Sequence, residues 1–250
     1  MTRNEPLGFY VDKIERRQPF SSLLYGDGEF LVASRRRTGR TMQGDELVTT
    51  ALEDELRQSF AVTGGPPVYR GTDPFLADPD SYGGRDVESV RQSAKALLES
   101  IPPGLPPVEW HDGTIWDSAV RDGELGPLIR ALNGQRTVVV GNARLLKHLP
   151  FTNWGGAVVR ETNACAELTR LESEMMGQLE DGPVVVCMGI GAIPLIMRLR
   201  KHYRDGTYLD LGSTFDVFAR LGAERGWRKE LYADEAKWKA VVDKNLEGVK

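Results

Sequence analysis

Leu23-Leu24-Tyr25-Gly26-Asp27-Gly28-Glu29-Phe30 is an apolar run broken by Gly-Asp-Gly-Glu. In an extended chain Asp27 and Glu29 stand two residues apart, point to the same side and make a face of two carboxylates. Hard cations such as Mg²⁺ and Mn²⁺ take carboxylate oxygens and complete their shell with substrate phosphates. Gly26 and Gly28 carry no side chain, so the backbone there can come close to a phosphate or a metal-bound ligand. The chemistry suggested is a metal–nucleotide site. The plainer reading is a strand that ends in a polar turn with solvated acids.

Other groups could serve the same chemistry. Arg35, Arg36, Arg37 and Arg40 follow the acidic motif directly, and they read either as a phosphate clamp, with Arg35 foremost, or as a solvated loop. Gly189-Ile190-Gly191 is a glycine-rich strand-to-helix turn. The third glycine of the dinucleotide fingerprint is missing, so a nicotinamide cofactor is disfavoured, while backbone contact with a phosphate or ribose fits. Asn142 and Asn163 are either nucleotide contacts or helix caps. Carboxylates at or just past predicted strand ends, which could take a proton from an acceptor hydroxyl, are Glu161, Asp210 and Asp216, with Glu29 as a further candidate. His111, His148 and His202 are scattered without a ligand pattern and read as surface or capping residues. Cys165 and Cys187 lack metal-ligand spacing and read as small core residues in a reducing compartment.

These residues need strands and helices to place them. Ser21 to Tyr25 reads as a short buried strand, and the ligand end of such a strand in an open α/β sheet is its C-terminus. Gly44-Asp45-Glu46 opens a helical pattern that runs to Phe60. Val62 to Tyr69 resembles a strand, Gly71 to Arg85 a long loop that could wall an acceptor site, and Asp86 caps a helix ending before Pro102. Val108 to Trp110 is a short strand, and Thr114 to Leu132 is helical with breaks at Gly123 and Gly126-Pro127. From there strands alternate with helices: Thr137 to Asn142, Gly156 to Glu161, Pro183 to Gly189 and Thr207 to Gly212 are strands. Ala143 to Leu149, Ala164 to Leu179 and Ala192 to Tyr203 are the helices between them. That alternation implies an α/β, Rossmann-like fold with a mostly parallel sheet flanked by helices. The division expected is a lead-in over 1–20, one α/β domain over 21–232 and a helical tail over 233–250, the tail suited to packing or to self-association as a homo-oligomer.

The chain has 250 residues, 40% hydrophobic and 27% charged, with a formal net charge of −4. That is globular composition, and it gives no global basic field for holding nucleic acid. Residues 1–17 lack the apolar region of a signal peptide, and no apolar run approaches bilayer length, so a soluble cytoplasmic protein with no membrane span is expected.

Taken together, these pieces resemble the GT-D fold glycosyltransferases, a family first defined by a domain of unknown function in bacterial glycosylation proteins. The likeness rests on Tyr25-Gly26-Asp27-Gly28-Glu29 with the family's Asp-x-Glu motif, and on Met42-Gln43 leading into the Asp45-Glu46-Leu47 helix. It rests also on the exit Val140-Gly141-Asn142, on Val186-Cys187-Met188-Gly189 and on Leu209-Asp210-Leu211-Gly212-Ser213. Order and approximate spacing agree from Ser21 to Phe218. The resemblance implies a metal-dependent enzyme that transfers a sugar from a nucleoside-diphosphate sugar such as a UDP-sugar to a hydroxyl of a protein, a glycan or a modified DNA base. Asp27 and Glu29 would hold Mn²⁺ or Mg²⁺ and serve catalysis, with Asp210 as a further catalytic candidate. Tyr25, Gly26, Gly28, Arg35, Asn142, Gly189 and Gly191 would contact the nucleotide sugar. Family members often carry Arg where this chain has Leu24, and Arg35, Arg36 or Arg37 could substitute. Between Val62 and Leu132 the match is poor, so nothing about the acceptor transfers. From residue types alone two other classes stay open: a metal-dependent phosphoesterase or nucleotide hydrolase, and a non-catalytic nucleotide- or nucleic-acid-binding module.

Overall fold

A computed structural model describes residues 2–3, 5–33, 49–62, 64–74, 92, 95, 101, 103–104, 108–160, 163–180, 182–223 and 226–249, with backbone only at Thr2, Arg3, Asp27, Leu31 and Gly226. Arg35, Arg36, Arg37 and Arg40, the start of the helix expected at Gly44, most of the expected loop to Arg85, the helix from Asp86 and Glu161 lie outside the described residues.

Among the described residues the sheet has eight strands, and every pairing between them is parallel. The strands are β1 (Thr2–Arg3), β2 (Ser21–Tyr25), β3 (Val68–Thr72), β4 (Trp110–Asp112), β5 (Val138–Asn142), β6 (Gly155–Val159), β7 (Val184–Cys187) and β8 (Tyr208–Asp210). Their order across the sheet is β1-β4-β3-β2-β8-β7-β5-β6. The α/β, parallel-sheet expectation holds.

A parallel sheet must be covered on both faces, and the strand sequences show it. Val138 and Val140 of β5 enter one apolar layer and Val139 the other; Val184 and Val186 of β7 divide from Val185 and Cys187 in the same way. The first layer is built from α2 (Asp27–Ala33), α3 (Thr50–Phe60), α7 (Leu168–Met175) and α8 (Ala192–His202). The second holds α1 (Leu7–Glu15), α4 (Ile115–Asp122), α5 (Gly126–Asn133), α6 (Ala143–Lys147) and α9 (Asp216–Ala219). Connections through the first layer step the sheet one way (β2 to β3, β6 to β7, β7 to β8). Those through the second step it the other way (β4 to β5, β5 to β6), as a single crossover handedness requires.

This winding decides where a ligand can sit. The chain leaves β2 and β7 toward the first layer and leaves β8, which lies between them, toward the second. A crevice therefore opens over the C-terminal end of β8, which is Asp210.

The helix at Thr50–Phe60 begins with a Thr49 cap whose hydroxyl accepts from Leu52 N–H at 3.2 Å. Gly123, with φ 72°, ends α4 at the expected break. The strand expected over Val62 to Tyr69 is Val68–Thr72 instead, because Gly64 and Gly65, both at φ 77°, hold a turn where extended backbone was expected. The helix expected over 164–179 is α-helical only at its centre, with 3₁₀ turns at Ala164–Glu167 and Met176–Gln178. Asn163 sits there in the left-handed region without capping through its side chain.

Beyond α10 (Gly226–Ala233), α11 (Glu235–Asn245) is capped by Asp234 and packs on the domain. Its last residue, Asn245, is fully buried; the side chain accepts from Leu125 N–H at 3.0 Å and donates to the carbonyls of Val120 and Val241 at 2.8 and 2.9 Å. No described helix is long and apolar enough to cross a membrane. Asn245→Ala strands one buried donor and one buried acceptor, so it should cost about 2–4 kcal/mol of unfolding free energy. A urea midpoint that does not move would show that the C-terminal helix is not part of the folded unit.

Candidate active site

The cleft at the strand ends has a volume of ≈ 330 Å³. Its floor is Asp210, 3% exposed. β2 and β8 pair only at Ser21↔Tyr208 and Ser22↔Leu209, and beyond that they diverge. Asp210 fills the gap: Oδ2 accepts from Leu24 N–H at 3.2 Å and Oδ1 from Gly212 N–H at 3.1 Å. The two amide bonds favour the carboxylate, yet burial and the neighbouring Glu29 charge outweigh them and raise the Asp210 carboxyl well above the usual range.

The Gly26 to Glu29 segment is not extended. α2 begins at Asp27, so Gly26 is the cap and Asp27 and Glu29 are the first and third helical residues. The extended backbone expected at the motif is therefore corrected to the first turn of a helix. The reason is local: Glu29 Oε2 accepts from Gly26 N–H at 2.9 Å, the return half of a capping box, and this turns the chain into a helix at once. The carboxylate that does approach Glu29 is Asp210, from 181 positions along the chain.

The glycines serve packing as well as access. A Cβ on Gly28 would meet Ile190 Cδ1 at 3.3 Å, so α2 lies against the Gly189–Gly191 turn that leads into α8. Gly189 has φ 61° and lines the cleft. Gly191 is held behind it, where a Cβ would meet Met188 Cε at 2.6 Å. Asn142 also lines the cleft, but its Oδ1 accepts from Leu145 N–H at 2.8 Å, so its side chain is a helix cap.

Tyr25 faces the other way. Its ring stacks on Phe60 at 4.8 Å, and its hydroxyl lies 2.5 Å from Ser59 Oγ in the first apolar layer. Any ligand contact at Tyr25 would come from its backbone. His111 is buried, not a surface residue: its Nδ1 is 3.0 Å from the Tyr10 hydroxyl, among Phe9, Tyr69 and Tyr10. His202 ends α8 and pairs with Glu172 at 2.7 Å, and His148 caps α6, as expected. Cys187 is buried and Cys165 half-buried, both as free thiols.

Two features had no local signal in the sequence. Arg160, 77% exposed and paired with Glu167 at 3.1 Å, is the only cation among the described residues that line the cleft. Arg228 is 1% exposed and joins Asp117 at 3.1 Å to Asp216 at 3.3 Å. Those partners are separated from it by 111 and 12 positions, so only the fold brings them together.

Glu29, Asp117, Asp210 and Asp216 line the cleft with Arg160, and Asp117 and Asp216 are already paired with the buried Arg228. The donors are hard oxygens, which suits Mg²⁺ or Mn²⁺, and no group of three His, Cys, Asp or Glu among the described residues could hold an ion alone.

No family model matches the chain, and no curated protein matches it. Solved structures do. A glycosyltransferase with domain of unknown function 1792 from Streptococcus sanguinis superposes with TM-score 0.64 at 12% identity, covering 93% of this chain and 85% of that one. This chain has the same fold. A structure described as showing that this highly conserved domain has a distinct glycosyltransferase fold gives TM-score 0.61 at 13% identity over 93% and 82% of the two chains. A selenomethionine-substituted structure of the domain gives 0.64 at 13% identity over the same shares. The resemblance read from the motifs thus holds at the level of the fold.

Two outcomes follow. Tyr25→Phe should cost about 1 kcal/mol of stability and leave nucleotide affinity unchanged in calorimetry; a loss of affinity would move Tyr25 into the site. Asp210 has a folded-state pKa above its unfolded value near 3.9. Folding therefore takes up a proton there, and its contribution to stability falls as pH rises from about 4 through the folded pKa. In metal-free buffer the stability advantage of wild type over Asp210→Asn should shrink between pH 4 and pH 8, and an advantage that grows would refute the burial argument.

Proposed function

We propose that this chain is a metal-dependent glycosyltransferase, which moves a sugar from a nucleoside-diphosphate donor such as a UDP-sugar to a hydroxyl acceptor. The observation that carries the reading is an acidic cleft at the carboxyl ends of a parallel sheet, where Glu29 meets Asp210 beside the Gly189 turn, in a fold shared with a glycosyltransferase structure. The free thiols of Cys165 and Cys187 support a cytoplasmic enzyme.

In this reading Asp27 and Glu29, in the first turn of α2, hold Mn²⁺ or Mg²⁺ with the donor's phosphates. The bound cation supplies neutralisation of the charge that develops on the leaving diphosphate. The first turn of α8 behind Gly189 and Gly191 presents its N-terminal dipole to the same phosphates. Gly28 keeps α2 close to that turn, and Gly26 leaves room for the Glu29 carboxylate. Arg160 at the cleft rim and Arg35 supply further cations to the diphosphate, and Asn142 keeps the end of β5 open above it. Asp210 acts by position: buried and with both oxygens accepting from backbone amides, it fixes Leu24 and Gly212.

Calorimetric titration of a nucleotide-sugar panel tests this. Binding should weaken at least about tenfold when Mn²⁺ is withdrawn, and Asp27→Asn with Glu29→Gln should remove the metal dependence together with most of the affinity. Donor binding that ignores Mn²⁺ and survives the double substitution would sink the proposal.

A further inference from the structure

A second cavity of ≈ 390 Å³ opens beside the acidic cleft and shares Leu24, Gly26, Gly113, Asp117 and Ser213 with it. It sits over the ends of β2, β3 and β4 and is walled on the far side by Thr114, Trp227 and Arg228. Asp117 is the only carboxylate common to the described linings of the two cavities. Its orientation is fixed: Trp227 Nε1 donates to Oδ2 at 2.9 Å and Arg228 to Oδ1 at 3.1 Å. The side chain is nevertheless 45% exposed, and each of its oxygens can accept a further hydrogen bond.

The threonine hydroxyls of this wall are acceptors. The Thr114 hydroxyl donates to Asp112 Oδ1 at 2.7 Å and the Thr72 hydroxyl to the Tyr25 carbonyl at 2.9 Å, so both have only lone pairs left for a ligand. Arg228 divides its guanidinium between Asp117, Asp216 and the Ser213 carbonyl. Its Nε has no partner, but that atom is sealed from solvent and offers nothing to the cavity. Asp73 adds a second carboxylate to the lining, and Arg228 is held by its own partners instead of being turned to a ligand. Such a wall receives hydrogen bonds from hydroxyl groups and suits phosphates poorly, since they can only accept.

We propose that this cavity is the acceptor subsite, that it takes an uncharged polyhydroxyl acceptor such as a sugar unit, and that Asp117 receives the acceptor's proton. The proposal rests on the glycosyltransferase reading of the adjoining cleft. In the transfer the acceptor oxygen bonds to the anomeric carbon, and the bond from that carbon to the diphosphate oxygen breaks with its electron pair leaving on the diphosphate. The hydroxyl proton passes to the Asp117 carboxylate, which later releases it to water. A nucleic-acid acceptor is disfavoured by the same wall.

The test follows the Trp227 indole N–H in nitrogen–proton NMR spectra, assigned by its disappearance in Trp227→Phe. Methyl β-glucopyranoside should shift that signal in the wild-type protein, and a short DNA duplex should not. The reverse pattern overturns the acceptor assignment. Asp117→Asn should keep UDP affinity within about twofold and lower transfer to the methyl glucoside roughly 100-fold, with loss of the acidic limb of the pH–rate profile. A parallel fall in UDP affinity, or an unchanged pH profile, overturns the proton-accepting role. If the wild type binds no nucleotide sugar while the glucoside still moves Trp227, the donor-site reading fails and the acceptor subsite stands.

Discussion

The Asp210 carboxyl is the contact on which the rest of the site depends. Where β2 and β8 cease to pair, the Leu24 amide would be left without a partner, and a buried unpaired amide is costly. Asp210 supplies that partner and holds Gly212 with its other oxygen. The strands can then diverge at their C-terminal ends without losing a hydrogen bond, and the crevice exists because they do. The carboxyl that makes this possible is driven toward its neutral form by burial and by Glu29, so holding the cleft open and accepting a proton from a substrate are competing demands on one group.

Around this point the two layers meet. α2 and α8 both start at the cleft from the first layer, and they can start side by side because Gly28 leaves room for Ile190. From the second layer α4 brings Asp117, and the Arg228 guanidinium buried behind it ties α4, α9 and α10 into one wall. Removing one partner from a buried ion network exposes the other to the full desolvation cost, which is the physical reason for its extended set of partners. The cleft and its neighbouring cavity are therefore two sides of one carboxylate, with Leu24 and Gly26 as the ridge between them.

Most of the sheet was legible in the chain itself. β5 and β7 are runs of valine bounded by glycine or proline, and such runs suit a strand buried on both faces. The helices after them could be seen from their three- and four-residue spacing, and the division of each strand between two layers follows from alternation alone. The β3 boundary was less legible because Gly64 and Gly65 bend the chain before it. Tyr25 illustrates a deeper limit. It belongs to the motif by sequence, yet its odd register along β2 sends the ring into the first layer with Phe60 and Trp110.

The sequence by itself determined the parallel α/β architecture, the strand ends that carry Gly26, Asn142, Gly189 and Asp210, and the acidic character of the motif, because these depend on composition and on periods of two and 3.6 residues. Tertiary structure alone decided that Glu29 meets Asp210 instead of lying beside Asp27 on an extended face, since a capping bond from Gly26 converts strand to helix within one residue. It also decided that Asp117, Arg228 and Trp227 form the wall beside the cleft. Contacts between residues more than a hundred positions apart leave no local pattern; they exist only once the helices of the second layer have packed.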